Sequence, residues 1–327
     1  MDALSEALGA VRMTGAIFFH AECSAPWGFA VPATRDVSHV LSPGTDLLID
    51  YHLVIEGRAV GRMDGMDDLV LGAGDVVILP YGDPHTVSNG SPNAYIDSSA
   101  SLEAILKGDG SAMRIGGGGE VTRFACGFFG CERHAERLFL AGLPRVIRFN
   151  IRDGRAGAWL EASIRHLVSE AGSGRPGQKA LLSKMAEVLF IEGLRRYMEQ
   201  LPADQTGWLA AARDPLVGAV VAMLHREPSR DWSLEELAVA ASSSRSVITK
   251  RFNELMGEPP LAYLARWRLE LAARQLRASR KTVIEVAADV GYESEAAFNR
   301  AFKRAFGLPP AQYRRRATAD AGHKLSV

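Results

Sequence analysis

The sequence has few cysteines and no long apolar run. Its 3 cysteines among 327 residues are too few for a disulfide framework, and such an odd set is typical of a reducing compartment. No apolar run approaches the roughly 18 residues that a membrane span requires. The N-terminus starts with an acidic residue and lacks the uninterrupted apolar stretch of a secretory signal. We therefore expect a cytoplasmic protein with no membrane partner.

Motifs of several enzyme classes are also missing. The sequence contains no G-x-S-x-G nucleophile elbow, no phosphate-binding P-loop and no Cys-x-x-Cys pair. We therefore expect that the chain is not an enzyme.

The net charge of zero conceals an uneven distribution. Residues 207–316 hold 18 Lys and Arg against 12 Asp and Glu, whereas the whole chain holds 38 of each. This segment therefore carries a charge of about +6 and the remainder about −6. A basic segment of this kind indicates a polyanionic partner.

The character of the sequence changes near residue 157. The first 150 residues contain short apolar runs separated by Gly, Pro, Asn and Asp, which predicts an all-β barrel or sandwich. From residue 157 onward, apolar residues recur at helical spacing, as in Leu160, Ile164 and Leu167. A chain of this length has room for two or three domains.

A wide apolar stripe marks the helical stretch before residue 201. Its members are Leu181, Leu182, Met185, Val188, Leu189 and Leu194. Two interpretations remain open: the helix packs on its own domain, or one side of it pairs with a second copy of the chain. Residues 201–207, LPADQTG, have the composition of a linker.

Two stretches near the C-terminus, residues 242–268 and 291–316, repeat one pattern. Each contains a polar turn, a helical run that reaches a Phe, and then Gly-x-Pro-Pro and a Tyr. Together with the apolar run before it, each stretch predicts a helix, a short turn and a second helix. The predicted N-caps of the second helices are Ser244 and Ser294, and the predicted C-terminal glycines are Gly257 and Gly307.

The second helix of each repeat has an apolar edge and a polar face. The apolar edges comprise Val247, Ile248, Phe252 and Leu255, and then Phe298, Phe302 and Phe306. The polar faces comprise Arg245, Ser246, Thr249 and Lys250, and then Glu295, Ala296, Asn299, Arg300 and Lys303. These side chains suit base edges and phosphates in the major groove of double-stranded DNA. A helical bundle with solvated charges is the alternative.

Residues 228–316 resemble the DNA-binding domain of the AraC/XylS family of bacterial transcription regulators, most clearly in GYESEAAFNRAFKRAFGLPPAQYR. The resemblance implies two helix-turn-helix units whose second helices enter adjacent major-groove segments. It assigns base contacts to the first four polar-face residues of each helix, and it implies operator DNA and RNA polymerase as partners. Gly257, Gly291 and Gly307 match the turn and cap glycines of the family, whereas the first unit has AASSSRS where the family often has a turn glycine.

The N-terminal half carries a second motif. GDVVILPYGDPHTVSN at residues 74–89 fits the second cupin motif, G-x5-P-x-G-x2-H-x3-N, and GTDLLIDYHLVIEG keeps part of the first. The resemblance is to cupin-bearing AraC-type regulators and implies a cupin β-barrel. The candidate ligand or metal-binding residues are Asp50, His52, Glu56 and His85.

Two interpretations of these four residues remain open. They are acceptable ligands for a divalent metal, or they form a hydrogen-bonded core, with no cofactor required. In both cases the barrel interior is the expected pocket for a small-molecule effector. A third hypothesis makes Cys23, Cys126 and Cys131 a redox sensor, with buried structural thiols as its alternative.

The expected architecture is an α+β multidomain chain. It consists of a cupin-like β-barrel sensor domain at 1–155, a helical dimerisation segment and linker at 156–206, and an all-α tandem helix-turn-helix DNA-binding domain at 207–318. The expected function is a homodimeric, sequence-specific transcription regulator that responds to a small-molecule or redox signal. A metal-dependent cupin enzyme with a helical appendage is the alternative.

Overall fold

The computed structural model of the chain describes residues 2–10, 13–41, 47–97, 113–131, 143–153, 157–170 and 175–323. Contacts divide these residues into two units. The helical unit comprises helix α1 (Ala3–Ala10) and residues 201–323, and the sheet unit comprises the described residues from 13 to 200. Among the helices that the structure describes, none has both the length and the apolar character that a bilayer crossing requires.

The sheet unit is built mainly from short antiparallel strands. Its strands are β1 (Met13–Ser24), β2 (Trp27–Val31), β3 (Leu47–Glu56), β4 (Arg58–Arg62), β5 (Leu69–Gly72), β6 (Asp75–Leu79), β7 (His85–Asn89), β8 (Ile96–Asp97), β9 (Met113–Gly116), β10 (Val121–Cys131) and β11 (Ile147–Asn150). Its helices are α2 (Thr34–Leu41), α3 (Gly157–Glu170) and α4 (Gln178–Gln200). The prediction of a β-rich N-terminal domain is confirmed.

The strands form two sheets with a shared core. One sheet has the order β11-β6-β3-β10-β1-β9 and the other the order β5-β4-β7-β2-β8. Buried side chains from both sheets, among them Trp27, Val54, Leu71 and Phe124, form a single apolar cluster. The short apolar runs of the sequence are explained by this shared interior.

Helix α4 covers the outer face of the first sheet. The ring of Phe129 on β10 lies 5.0 Å from that of Phe190 on α4. Gly193 permits the close approach, because a Cβ there would lie 2.8 Å from side-chain atoms of Ile78 and Phe149. Part of the predicted apolar stripe is therefore used within this unit, whereas Leu181 stays 50% exposed.

The helical unit contains two similar pairs of helices. Its C-terminal helices are α5 (Trp208–Arg213), α6 (Pro215–Arg226), α7 (Leu234–Ala240), α8 (Arg245–Met256), α9 (Pro260–Ala278), α10 (Val283–Asp289), α11 (Glu295–Phe306) and α12 (Pro310–His323). We call α7 and α8 the first helix pair, and α10 and α11 the second helix pair; α9 connects them.

Helix α1 lies in the helical unit, although its sequence position falls within the predicted sensor domain at 1–155. It packs against α6 and buries Ala3, Leu4 and Ala7 there. Because its apolar face packs on α6, α1 belongs to the helical unit although it precedes the sheet unit in the sequence.

Capping residues fix where the second helix of each pair, α8 or α11, begins and ends. The Ser244 hydroxyl accepts a hydrogen bond from the Val247 amide, and Ser294 caps α11 in the same way. Gly257 and Gly307 follow the two helices with φ of 72° and 76°, a conformation that favours glycine. These four sequence predictions are confirmed.

Candidate functional site

Helix α11 presents a polar face opposite a buried aromatic edge. Phe298 and Phe302 are fully buried, and Phe306 is partly buried against them. On the opposite face, Glu295, Ala296, Arg300 and Lys303 are exposed and Asn299 is half-buried. Among the described residues, no acidic group forms an ion pair with Arg300 or Lys303. These two cations are therefore available to an anionic partner.

Helix α8 has the same arrangement with a different charge balance. Arg245, Ser246 and Lys250 are exposed and Thr249 is half-buried. The guanidinium of Arg245 lies 3.1 Å from the Glu235 carboxylate of α7, and Lys250 lies 4.0 Å from Glu254. Each of these two cations of α8 thus has an acidic neighbour within the first helix pair.

One residue of the predicted apolar edge of α8 lies elsewhere. Val247 is 50% exposed, whereas Ile248, Phe252 and Leu255 are buried. Val247 lies in the first turn of the helix, directly before the buried Ile248. Consecutive side chains of a helix point in different directions, so Val247 faces away from the buried edge. Val247, predicted to belong to the apolar edge, therefore lies outside its buried part.

In the sheet unit, four buried side chains meet between the two sheets. Asp50 and His52 lie on β3, Cys126 lies opposite His52 on β10, and His85 begins β7 on the other sheet. We call these four residues the imidazole cluster. Gly82 shapes the turn before β7, because its φ is +58° and a Cβ there would collide with Thr34.

Hydrogen bonds fix the order of the imidazole cluster. The Nδ1 atom of His85 donates to the Asp83 carbonyl at 2.9 Å, which leaves its Nε2 atom as an acceptor. That Nε2 atom lies 2.7 Å from Nε2 of His52, which therefore donates. The other ring nitrogen of His52 lies 3.0 Å from the Cys126 sulfur.

Charge in the imidazole cluster concentrates on His52 and Asp50. Burial opposes the charged form of His52, but the Asp50 carboxylate and the Cys126 sulfur raise its pKa well above the ordinary value. Burial also opposes ionisation of Asp50, but His52 lowers the pKa of its carboxyl. Burial and the charge on His52 lower the pKa of His85. An imidazolium–carboxylate pair beside a neutral imidazole results.

Three of the four predicted metal ligands come together. Ligand atoms of Asp50, His52 and His85 all lie within 4.8 Å of one another. Among the described residues neither Asp50 oxygen accepts a hydrogen bond, although Oδ2 lies 3.3 Å from His52 Nε2 and 3.6 Å from His85 Nε2. A buried carboxylate with two imidazoles fits the preferences of a divalent transition metal.

Glu56, the fourth predicted ligand, lies outside the imidazole cluster. The pairing of β3 with β10 shifts register between Val54 and Glu56, which breaks the alternation that the prediction assumed. The Glu56 side chain is 58% exposed and forms an ion pair with Arg123. Its assignment as a ligand was wrong.

A small cavity of about 20 Å³, partly open to solvent and with room for about one water molecule, adjoins the two histidines. His52 and His85 lie at its polar end and Arg62 also contributes to its wall. The remaining side chains of the lining are aliphatic: Met63, Leu69, Leu71, Val77, Leu79 and Val87. Its walls are therefore mainly apolar with two imidazoles beside them, and a ligand larger than water would have to widen it.

The cysteines differ in their surroundings. Cys23 and Cys126 are buried and free. Burial and the neighbouring Cys126 and Glu22 raise the pKa of Cys23 to about 12, which keeps it a thiol. Cys126 contacts His52, a link that the sequence did not reveal because it depends on the register of β3 and β10. The Cys131 side chain lies outside the part of the structure that is described.

Comparisons with known proteins find a different family for the N-terminal and the C-terminal part of the chain. Residues 2–199 match a family model described as cupin, and residues 237–316 match one described as helix-turn-helix domain. A putative AraC-like transcription regulator of Streptomyces lividans is 33% identical over 276 residues, covering 83% of this chain and 88% of that protein. The HTH-type transcriptional regulator AlkR of Acinetobacter baylyi is 30% identical over 324 residues, covering 97% and 100%.

Among solved structures, the DNA-binding domain of AdpA, a global transcriptional factor in complex with a target DNA, is 37% identical. It covers 32% of this chain and 95% of that chain, with a TM-score of 0.31. The two family matches and the two long alignments account for nearly the whole sequence. The chain belongs to the AraC family of DNA-binding transcription regulators and carries an N-terminal cupin domain.

Proposed function

We propose that the chain binds operator DNA through both helix pairs, as a tandem helix-turn-helix reader. Helices α8 and α11 would enter successive major-groove segments on one face of the duplex. The base-contacting residues would be Arg245, Ser246, Thr249, Lys250, Glu295, Ala296, Asn299 and Arg300, with Lys303 beside them. The observation that carries the proposal is the polar face that both helices keep exposed opposite a buried apolar edge.

A salt-dependent gel shift tests this function. The wild-type chain should bind its own upstream DNA even in the presence of excess bulk DNA. Its affinity for that DNA should fall steeply as the salt concentration rises. Arg300→Ala should weaken specific binding by about 1–3 kcal/mol and relax discrimination at one base pair. Arg35→Ala, an exposed change in the sheet unit, is the control. Equal binding by Arg300→Ala and wild type would contradict the proposal.

The small cavity beside the imidazole cluster is the proposed effector site, which the effector would widen as it binds. Its aliphatic lining and its two histidines favour a small apolar molecule with a single polar group. Binding would shift the balance between arrangements that do or do not place the helix pairs on DNA. Hexanol, hexanal and hexanoate are suitable probes, and Met63→Trp, which fills the cavity, should abolish any change in DNA affinity that they cause. An unaltered response in Met63→Trp would contradict this site.

A divalent metal is a second candidate occupant of the imidazole cluster. Asp50, His52 and His85 would hold it, and the bound ion would offer a coordination position to the effector. No cofactor is required for DNA binding in this account, and no catalytic reaction is proposed for the barrel. Elemental analysis tests the metal: the wild type should contain more metal than His85→Ala, and equal content would exclude the site.

A redox response is a further candidate, supported by the contact between Cys126 and His52. The Cys126 sulfur lies 3.0 Å from the Nδ1 atom of His52, so oxidation of this thiol would change a contact inside the cluster. Oxidation would disturb His52 and the cavity wall, and with them DNA binding. Treatment with peroxide should alter the DNA affinity of the wild type and not that of Cys126→Ser. Unchanged affinity with all thiols still titratable would contradict this response.

The chain would act in the cytoplasm as a homodimer and contact RNA polymerase at its promoters. A surface on α3 and α4 supports the dimer. Trp159 on α3 is 58% exposed and Leu181 on α4 is 50% exposed, which are large values for apolar side chains. A second copy of the chain would cover them.

A further inference from the structure

Helix α9 carries an arginine whose guanidinium reaches toward both helix pairs. Nε of Arg268 donates to the Pro228 carbonyl at 2.6 Å, and Nη2 donates to the Arg230 carbonyl at 2.8 Å. Its Nη1 atom donates to the Gly291 carbonyl at 3.2 Å. Pro228 and Arg230 precede the first helix pair, and Gly291 lies in the turn of the second. One side chain thus joins the entrance of one pair to the turn of the other.

The turn of the second helix pair lies directly against residues 228–230. A Cβ built on Gly291 would lie 2.7 Å from the Ser229 carbonyl oxygen and 3.0 Å from Cζ of Arg268. The φ of Gly291 is +84°, so the position favours glycine on conformational grounds as well. Close packing and hydrogen bonds therefore act at the same point.

Residues 228–230 are themselves fixed to the first helix pair. The guanidinium of Arg230 forms ion pairs with Glu227 and with Glu236, each at 3.2 Å. It also lies 3.9 Å above the ring of Trp232, which is buried. Glu236 belongs to the capping box of α7 with Ser233. A displacement of the Gly291 turn is therefore transmitted to α7.

We propose that Arg268 is a positioning residue that holds the second helix pair at a fixed orientation to the first. Both pairs also pack on α9. The Arg268 hydrogen bonds add a direct tie between the entrance of the first pair and the turn of the second. A preformed spacing between α8 and α11 lowers the entropy cost of engaging two groove segments at once. The inference rests on the proposed function, because the spacing matters only if both pairs bind one duplex.

The test compares duplexes that engage one or both helix pairs. The probes are a duplex selected from random sequence by the wild-type full chain, the same duplex with one contacted segment replaced, and the same duplex with one base pair inserted between segments. Arg268→Met keeps the apolar stem and removes the donors. Arg266→Met is the matched control on the same helix, since Arg266 pairs with Glu258 and lies over Tyr263.

Arg268→Met should bind the two-segment duplex about 10-fold more weakly than wild type, while its affinity for the one-segment duplex stays unchanged. It should also lose less affinity than wild type when the base pair is inserted, because its helix pairs can adapt. Arg268→Lys retains the charge without the forked donors and should show the same pattern in weaker form. Unchanged one-segment binding also shows that the variant is folded.

Two results would overturn the inference. The first is an equal loss by Arg268→Met on the one-segment and two-segment duplexes, which would indicate a role in folding or a direct phosphate contact. The second is a loss on the two-segment duplex no larger than that of Arg266→Met. If the wild type itself does not prefer the two-segment duplex, the proposed function fails first, and the role of Arg268 fails with it.

Discussion

His225 is a buried histidine of the helical unit whose surroundings favour the neutral ring. Its ring stacks on Trp267 with centroids 3.9 Å apart, and its Nε2 atom lies 2.6 Å from the Tyr263 hydroxyl. That hydroxyl also accepts a hydrogen bond from the Trp208 indole at 2.9 Å. Its own proton is free to be donated to the Nε2 atom of a neutral His225. Burial and the nearby Arg266 lower the pKa of His225 to about 3.

We expect acid to destabilise the helical unit through His225. Because its pKa is lower in the folded state, the unfolded chain binds the proton more tightly, and stability falls as the pH drops below about 6.5 toward 3. Between pH 7 and pH 5 the free energy of unfolding should fall by about 2 kcal/mol from this group. Urea unfolding followed by tryptophan fluorescence measures it.

His225→Gln is the control, since it removes the titrating ring and retains a polar side chain. The variant should be less stable at pH 7 and should lose less stability on acidification. The same pH dependence in both proteins would show that His225 does not carry the acid sensitivity.

Surface charge differs between the two DNA-facing helices. Arg245 on α8 pairs with Glu235, whereas Arg300 on α11 has no acidic partner among the described residues. An exposed pair contributes little to stability, but its acid opposes an approaching phosphate. The first helix pair should therefore contribute less to affinity than its count of basic residues suggests.

Glu235→Gln should strengthen DNA binding by releasing Arg245. The expected gain is about 1 kcal/mol or less, with the fold unchanged. Fluorescence anisotropy on the selected duplex measures it, with Glu199→Gln in the sheet unit as a control for net charge. Weaker binding by Glu235→Gln would indicate that the carboxylate itself contacts a base.

The ends of α8 and α11 could be predicted because capping residues act on backbone groups close to them in the sequence. Ser244, Ser294, Gly257 and Gly307 act on neighbouring backbone groups, so their positions follow from a few residues of sequence. Ser242, with φ of 50°, adopts the left-handed conformation in the first turn that Gly291 adopts in the second. The missing glycine of AASSSRS therefore did not change the turn.

The imidazole cluster could be predicted only in part, because neighbouring residues in the sequence do not determine how two distant strands pair. The motif around His85 and the alternation along β3 brought Asp50, His52 and His85 together correctly. The register shift that turns Glu56 outward and the pairing that places Cys126 opposite His52 both depend on β10. β10 lies far along the chain from β3.

A single substitution should disrupt the proposed dimer surface on α3 and α4. Leu181→Glu should raise the dimer dissociation constant at least ~10-fold, because burial of a leucine stabilises by about 1.5–3 kcal/mol. Sedimentation equilibrium measures the change. Val70→Glu, on the similarly exposed β5, should leave the dimer unaffected. If both variants weakened the dimer equally, or if neither weakened it, the dimer contact would lie elsewhere.

In the proposed function, the two helix pairs of one chain contact the same duplex. Hydroxyl-radical footprinting of the wild-type chain on its selected site tests this most directly. Each bound chain should protect two segments about 10.5 base pairs apart on the same face of the DNA. A single protected segment per chain, or two segments on different faces, would contradict the account.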